Sequence, residues 1–226
     1  MQHTIPPKIP LVSAFLPKLR KQFNNIQIAF SAIPAAILQQ VFFNASRPMY
    51  LNYGAMGAVI GHEITHGFDD EGAQFDAIGN LENWWTKQTL EHFQNLSQCF
   101  IDQYTAINDS RVNLPLNGKN TLGENIADNG GVREAFEAYV SLNLRESSLP
   151  GLTNYSNEQL FFISYASTWC SVTRSEKLRQ NILYDPHAPA KYRVNVPLAN
   201  YDVFSKIWSC PCDSNMNKGK EKCVVW

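Results

Sequence analysis

His62-Glu63-Ile64-Thr65-His66 places two imidazoles one helical turn apart, with a carboxylate beside the first. At i and i+4 both rings leave the same face of a helix, close enough to grip one metal ion. Neutral imidazole nitrogen is a ready ligand for Zn²⁺, which in catalytic sites keeps a fourth position for water. Glu63 is badly placed to bind the same ion but well placed to take a proton from such a water. With 5 His in 226 residues, this pattern should arise by chance in roughly half a per cent of chains of this composition, so two solvated histidines on a surface helix is the weaker reading.

Two histidines leave a catalytic zinc one protein ligand short. Gly123-Glu124-Asn125-Ile126-Ala127-Asp128-Asn129-Gly130-Gly131 offers two carboxylates, Glu124 and Asp128, at i and i+4 on one helix face. One of them can bind the metal while the other accepts the spare N–H of a ligating imidazole and fixes its tautomer. Asp69, just beyond the second histidine, is placed to hold the other ring in the same way. For Asp128 an ordinary exposed helix acid carries similar weight.

These residues need helices to position them. Asn52 to His66 reads as a helix rich in small residues (Gly54, Ala55, Gly57, Ala58, Gly61), ending at Gly67 and the polar run Asp69-Asp70-Glu71-Gly72. Trp84 to Ile107 predicts a second helix, with Leu90, Phe93, Leu96, Phe100, Tyr104 and Ile107 on one face. A third begins near Leu122, is interrupted at Gly130-Gly131, and resumes through Ala135, Phe136 and Tyr139. Leu160 to Cys170 is apolar nearly all round and predicts a buried helix. Tyr184 to Pro197, with three prolines and no period, reads as a loop before a last short helix near Val203 to Trp208. Upstream, residues 1–25 read as irregular, and 26–43 as an extended, buried stretch rich in β-branched and aromatic residues. The chain is mainly α with little sheet.

The length permits one large domain or two small ones with a real core. Hydrophobic content of 44% and charged content of 17% describe a globular chain, and a net charge of -1 gives no global field to attract nucleic acid or an anionic membrane. The five cysteines are Cys99, Cys170, Cys210, Cys212 and Cys223, and Cys210-Pro-Cys212 is too tightly spaced for a zinc ribbon. Four glycosylation acceptor patterns, at Asn44, Asn95, Asn108 and Asn154, combine with the cysteines to favour an oxidising, secretory compartment. Met1 to Arg20 holds four prolines and no apolar stretch of signal-peptide length. Ile26 to Phe43 is broken by Pro34 and three glutamines, which argues against a membrane span. The expectation is a chain without its targeting segment or an incomplete product.

The run His62-Glu63-Ile64-Thr65-His66-Gly67-Phe68-Asp69-Asp70, then Gly123 to Gly131, then the terminal Cys223-Val224-Val225-Trp226, resembles the neprilysin and endothelin-converting-enzyme family. The similarity runs from about Pro34 to Trp226, which leaves residues 1–33 as a divergent segment and 34–226 as a C-terminal zinc metallopeptidase domain. The resemblance implies a zincin, thermolysin-like catalytic subdomain of the gluzincin type. Its relatives are mostly type II membrane ectodomains that cut oligopeptides at the extracellular face. It also implies one zinc bound by His62, His66 and Glu124, with Glu63 as general base and Asp69 and Asp128 holding the rings. His187, in Asp185-Pro186-His187, looks like the family's oxyanion-stabilising histidine. Arg193 is similar to the arginine that grips the substrate backbone carbonyl. An apolar substrate pocket would fall near Ile37, Phe42, Val59 and Trp169. Cys99 would pair with Cys223, whereas Cys170 and Cys210 resemble positions whose partners lie upstream in full-length relatives.

The resemblance has gaps. The family places an Asn-Ala-aromatic-aromatic strand ahead of the metal helix, to pair with the substrate backbone. At the corresponding distance this chain reads Lys21-Gln22-Phe23-Asn24-Asn25, so that strand is expected to be missing or altered. The large helical domain that normally precedes the strand, and the membrane anchor, are expected to be missing here. The expected activity is therefore zinc-dependent hydrolysis of oligopeptides. The alternative is a truncated, non-catalytic product that binds zinc or peptide.

Overall fold

From Met49 onward the chain that carries the two histidines is helical. It opens as α1 (Met49–Asn52), widens into one π-helical stretch (Tyr53–Gly57), and continues as α2 (Ala58–Thr65) before tightening into a 3₁₀ turn, His66–Phe68. The structure, a computed structural model, describes the backbone of residues 23–25 and 30–225. Of residues 1–25, expected to be irregular, 1–22 lie outside the described residues and Phe23–Asn25 is a short strand instead; residues 26–29 of the expected extended stretch also lie outside the described residues.

Five longer helices and one short one follow: α3 (Lys87–Thr105), α4 (Leu122–Ser141), α5 (Asn157–Thr168), α6 (Ser175–Tyr184), α7 (Ala190–Asn200) and α8 (Asp202–Ile207). Among the described residues, strand is confined to two short antiparallel pairs. β1 (Phe23–Asn25) pairs with β2 (Phe30–Ala32), and β3 (Asn108–Asp109) with β4 (Leu114–Pro115). The fold is thus mainly α, as the sequence patterning predicts. A short strand occupies Phe23–Asn25 and its backbone lies beside α2.

Local chemistry sets the helix ends. Thr86 caps α3 by accepting from Thr89 N at 3.2 Å, and Ser156 and Gln159 form a reciprocal capping box on α5. Phe93, Phe100 and Tyr104 of α3 are buried against Leu122 and Ile126 of α4, Leu178 of α6 and Cys223. A second apolar cluster joins Tyr50, Phe136, Phe161, Phe162 and Tyr201, with Phe136 stacked on Phe162 at 5.0 Å and edge-on to Phe161 at 5.1 Å. Helix α4 runs through both clusters and therefore fixes Glu124 and Asp128 relative to the rest.

Three further expectations are corrected. The Gly130-Gly131 pair does not interrupt α4, which is continuous from Leu122 to Ser141. The glycines instead let α4 cross α2 at backbone contact. A Cβ on Gly131 would strike the His62 backbone nitrogen, and one on Gly61 would lie 2.7 Å from Gly131 O. The helical cost of glycine, about 1 kcal/mol each, is offset by that packing.

Second, the region from Tyr184 to Pro197 is not a loop, since α7 covers most of it. Pro189 precedes α7, and Pro197 sits inside it without an N–H to give to Arg193 O, four residues back. Tyr165 supplies the missing donor, its hydroxyl reaching Arg193 O at 2.6 Å.

Third, the stretch expected to be buried and extended up to Phe43 is neither beyond Pro34. It forms a 3₁₀ turn at Ala35–Ile37 and leaves Leu38, Val41 and Phe43 exposed. Polar bonds hold it instead, with Arg47 donating to Phe42 O at 2.8 Å and to Leu51 O at 3.1 Å.

Candidate metal centre and cleft

His62 and His66 leave α2 and its 3₁₀ extension on the face toward α4, and their Nε2 atoms lie 3.0 Å apart. Glu124, in the first turn of α4, faces both rings. Its Oε2 is 3.2 Å from His62 Nε2 and its Oε1 is 3.6 Å from His66 Nε2. One ligand atom from each of the three residues falls within 4.8 Å of the others.

The opposite edge of each ring meets a carboxylate. His66 Nδ1 lies 2.6 Å from Asp69 Oδ2, and the other Asp69 oxygen accepts from Glu71 N at 2.9 Å and Gly72 N at 2.7 Å. His62 Nδ1 is 2.9 Å from Asp128 Oδ1, although its N–H is aimed off line, so the contact is electrostatic rather than a well-formed hydrogen bond. With a proton on each Nδ1, both neutral rings turn Nε2 lone pairs toward one point. Glu124 Oε2 faces that same point, buried and without a hydrogen bond. Three electron-pair donors converging with no proton between them suit a divalent cation, and two imidazoles with one carboxylate are a zinc donor set.

The carboxylates around the rings favour positive charge at this point, so without a cation they hold protons on the imidazoles that a bound metal would displace. Burial opposes charge on His66, but Asp69 and Glu124 outweigh it and push its pKa up to about 10. Burial likewise opposes charge on His62, and Asp128 and Glu124 again prevail, raising its pKa. Burial also opposes ionisation of Glu124, yet His187, His62 and His66 hold it well below the usual carboxylate range.

Asp128 is 4% exposed, so it is not a surface helix acid. Besides facing His62 it accepts two bonds from Arg193, Nε to Oδ2 and Nη2 to Oδ1, both at 2.7 Å. Arg193 stacks on Trp169, with its guanidinium carbon 4.1 Å from the ring centroid, which leaves Nη1 without a bond among the described residues. His187 places Nε2 3.1 Å from Glu124 Oε1. The bond to Glu124 raises its pKa, against burial.

A cleft of about 320 Å³ runs along this group. Ile37, Val59, Trp169, Glu63, His187 and Arg193 line it, together with Ala55, Ala58, Tyr165 and Thr168. Phe42 is not among the lining residues. Asp185 escaped the sequence reading as a site residue. Its Oδ1 accepts from His187 Nδ1 at 2.7 Å and from His187 N at 2.9 Å, fixing the ring. Its i, i+2 spacing to the histidine is the signal that was available. Tyr165 was missed as well and had no such local signal, because its role depends on a contact 28 residues away. Cys99 and Cys223 form a disulfide, while Cys170, Cys210 and Cys212 carry free thiols.

A mainly helical chain with an HExxH helix crossed by a Glu-bearing helix has the fold and the site layout of the zincin class. The sequence matches the model of Peptidase family M13 over residues 23–224, and the chain belongs to that family. It is 50% identical to an endothelin-converting enzyme homolog of Locusta migratoria over 88% of this chain and 27% of that protein. It is 48% identical to neprilysin-11 of Caenorhabditis elegans over 85% of this chain and 23% of that protein. The structure superposes on the inhibitor-bound zinc metalloprotease ZMP1 of Mycobacterium tuberculosis with a TM-score of 0.86 at 33% identity. That match covers 91% of this chain and 32% of ZMP1. The chain spans about a quarter of the length of these two relatives.

Proposed function

We propose that this chain is the catalytic part of a zinc-dependent endopeptidase that hydrolyses oligopeptides, with one zinc held by His62, His66 and Glu124. The observation that carries the reading is the convergence of those three ligand atoms beside a cleft that also holds Glu63, His187 and Arg193. Bound there, zinc would supply Lewis acidity to a scissile carbonyl and make a coordinated water acidic near neutral pH.

The chain's own residues do the rest. Glu63, one residue after the first ligand and buried in the cleft wall, takes the proton of the attacking water and passes it to the leaving amine. His187, its charge favoured by Glu124 and its ring held by Asp185, donates to the oxygen on which negative charge develops. Arg193 offers Nη1 to a backbone carbonyl of the peptide while Asp128 and Trp169 hold the guanidinium plane. Ile37, Val59 and Trp169 supply an apolar wall for one side chain of the substrate.

The residues of this domain, 34–226, are proposed to work together with an upstream part of the kind that makes up the remaining length of the relatives. An oxidising, extracellular setting is supported by the Cys99–Cys223 disulfide and by the exposure of Asn44, Asn95, Asn108 and Asn154. No helix among the described residues is long and apolar enough to cross a membrane.

Zinc content and hydrolysis of an internally quenched peptide, compared with a Glu63→Gln variant, test the reading. The expected result is about one zinc per chain in both proteins and a rate at least about 10²-fold lower in the variant. Full zinc with identical background rates in both would leave only a zinc- or peptide-binding product.

A further inference from the structure

Helix α2 and the π-helical stretch before it have a second face. Met56, Ile60 and Ile64 recur every four residues along it, and with Phe43, Met49 and Tyr53 they line a groove of about 420 Å³. The groove shares no lining residue with the cleft at the metal centre, and none of His62, His66 and Glu124 borders it. Phe43 and Met49 are each 36% exposed, so apolar surface stays open to solvent there.

Among the described residues one charged side chain lines the groove, Glu134 of α4. Its Oε1 lies 3.2 Å from Thr65 Oγ1, which also lies 2.8 Å from Gly61 O. A hydroxyl has one proton, and the nearer carbonyl, four residues back in the same helix, takes it. The Glu134 carboxylate therefore faces an oxygen rather than a donor. Burial among its neighbours outweighs the Thr65 contact and raises its pKa. The arginines closest in the chain are spent elsewhere. Arg47, which bonds the groove residue Asn52, donates also to Phe42 O and Leu51 O. Arg133 donates to Asn200 O and lies over the Tyr201 ring.

We infer that this groove binds a small organic cation, a primary ammonium on an apolar stem, with the ammonium on Glu134 and the stem along Met56, Ile60 and Ile64. An ammonium carries three donors and no acceptor, so it supplies what the carboxylate lacks. Its charge-assisted bond is stronger than one from a neutral hydroxyl, and the Phe43 and Tyr53 rings favour a cation beside them. The volume falls within the range of about 300–1,000 Å³ that small-ligand sites occupy, which sets the size of the occupant. The site is separate from the proposed peptidase chemistry and does not rest on it.

The test is an NMR titration of the full chain carrying methyl-labelled methionine, once with zinc and once after chelation. Of its four methionines, Met49 and Met56 line the groove and Met216 does not. Phenethylammonium should give saturable shifts at Met49 and Met56 and none at Met216, with the same affinity in both samples. Phenethyl alcohol, of similar shape without the charge, should bind about three- to tenfold more weakly, and hydrocinnamate more weakly still. Glu134→Gln should bring the ammonium down to the alcohol's affinity and leave the alcohol where it was. Ala138→Phe, at an exposed position of the groove wall, should exclude all three compounds. Equal affinities for the ammonium and the alcohol, a preference that survives Glu134→Gln, shifts of equal size at Met216, or no saturable shift overturns the inference. So does a short amidated peptide with leucines around one lysine that binds more than about tenfold tighter than the amine, since that would assign the groove to a protein segment. Peptide hydrolysis, measured on the same samples, bears on the endopeptidase alone.

Discussion

Asp69 and Asp128 look interchangeable as acceptors for the two imidazoles, but their surroundings separate them. Asp69 is satisfied by two backbone N–H groups, so Asp69→Asn leaves a nearly intact loop and a weakened hold on His66. Asp128 also balances Arg193, which is 9% exposed, so Asp128→Asn leaves a buried guanidinium short of its counter-ion. Competition with a chelator should show zinc affinity falling about 10- to 100-fold in both variants. Thermal unfolding should separate them, with a loss of about 3–5 kcal/mol for Asp128→Asn and well under half of that for Asp69→Asn. Equal stability losses would mean that Arg193 does not depend on Asp128. Asp70, next in sequence, carries a pH signature. Burial and the neighbouring Asp69 raise its pKa from 3.8 to about 6, and its Oδ1 is buried without a hydrogen bond. A carboxyl whose pKa is higher in the folded protein than in the unfolded chain is penalised once it ionises. Stability is therefore undiminished below about pH 4, falls between about pH 4 and 6, and stays reduced above that range. In chelator-treated protein, Asp70→Asn should raise stability by about 1–2 kcal/mol at pH 7.5 after allowing for solvent screening, and by nothing at pH 4. A melting-temperature gain of the same size at both pH values would contradict the assignment. The two histidines were readable because their i, i+4 spacing encodes their geometry, whereas spacing left Glu124 and Asp128 open and only the resemblance chose between them. Asp185 had only its i, i+2 spacing to His187 as a signal, and Tyr165 had none, because what makes it part of the site is the position of the Arg193 carbonyl in space.

At the level of elements, the site depends on how closely α2 and α4 approach, and glycine sets that distance. Gly131→Ala would push its methyl into the His62 backbone, and neither helix can yield without moving Glu124 away from the two rings. The expected outcome is destabilisation of at least about 2 kcal/mol together with a loss of zinc affinity larger than that caused by Gly67→Ala, where an added Cβ meets nothing within 4 Å. A chelator titration of the two variants gives the comparison, and similar affinities would mean that the crossing does not set the ligand geometry. Helix α7 makes the converse point. Its proline-rich sequence reads as a loop, because propensity counts the missing N–H of Pro197 as a defect. Tyr165 repairs the defect from another helix. Tyr165→Phe should cost about 1–3 kcal/mol by leaving the Arg193 carbonyl buried without a donor. Helical periodicity made α3 legible and a run apolar nearly all round made α5 legible, since both are local patterns. The continuity of α4 and α7 was not legible, because in both cases a tertiary contact reverses what the local residues prefer.

For the molecule as a whole, connectivity decides how the metal and the covalent cross-link share the work of holding the site. The Cys99–Cys223 bond closes a separation of 124 residues. Glu124, Asp128, His187 and Arg193 lie inside that loop, while His62, Glu63 and His66 lie outside it. Reduction should therefore destabilise the chain by about 2–5 kcal/mol without touching either histidine. A metal at the three-ligand centre is a second, non-covalent tie that joins the inside of the loop to the outside. Zinc at a free concentration 100 times its dissociation constant should add about 2.7 kcal/mol. Because the disulfide preorganises Glu124 against the rings, the metal must do part of that ordering itself once the bond is cut. The melting-temperature rise on adding zinc should accordingly be smaller in a Cys99→Ser/Cys223→Ser variant than in the oxidised chain at the same zinc concentration, with its zinc affinity lower in proportion. An unchanged zinc increment in the serine variant would mean that α4 holds Glu124 in place without the cross-link. A chelator that left the melting temperature of the oxidised chain where it was would show that the two imidazoles and the carboxylate do not bind the ion at all.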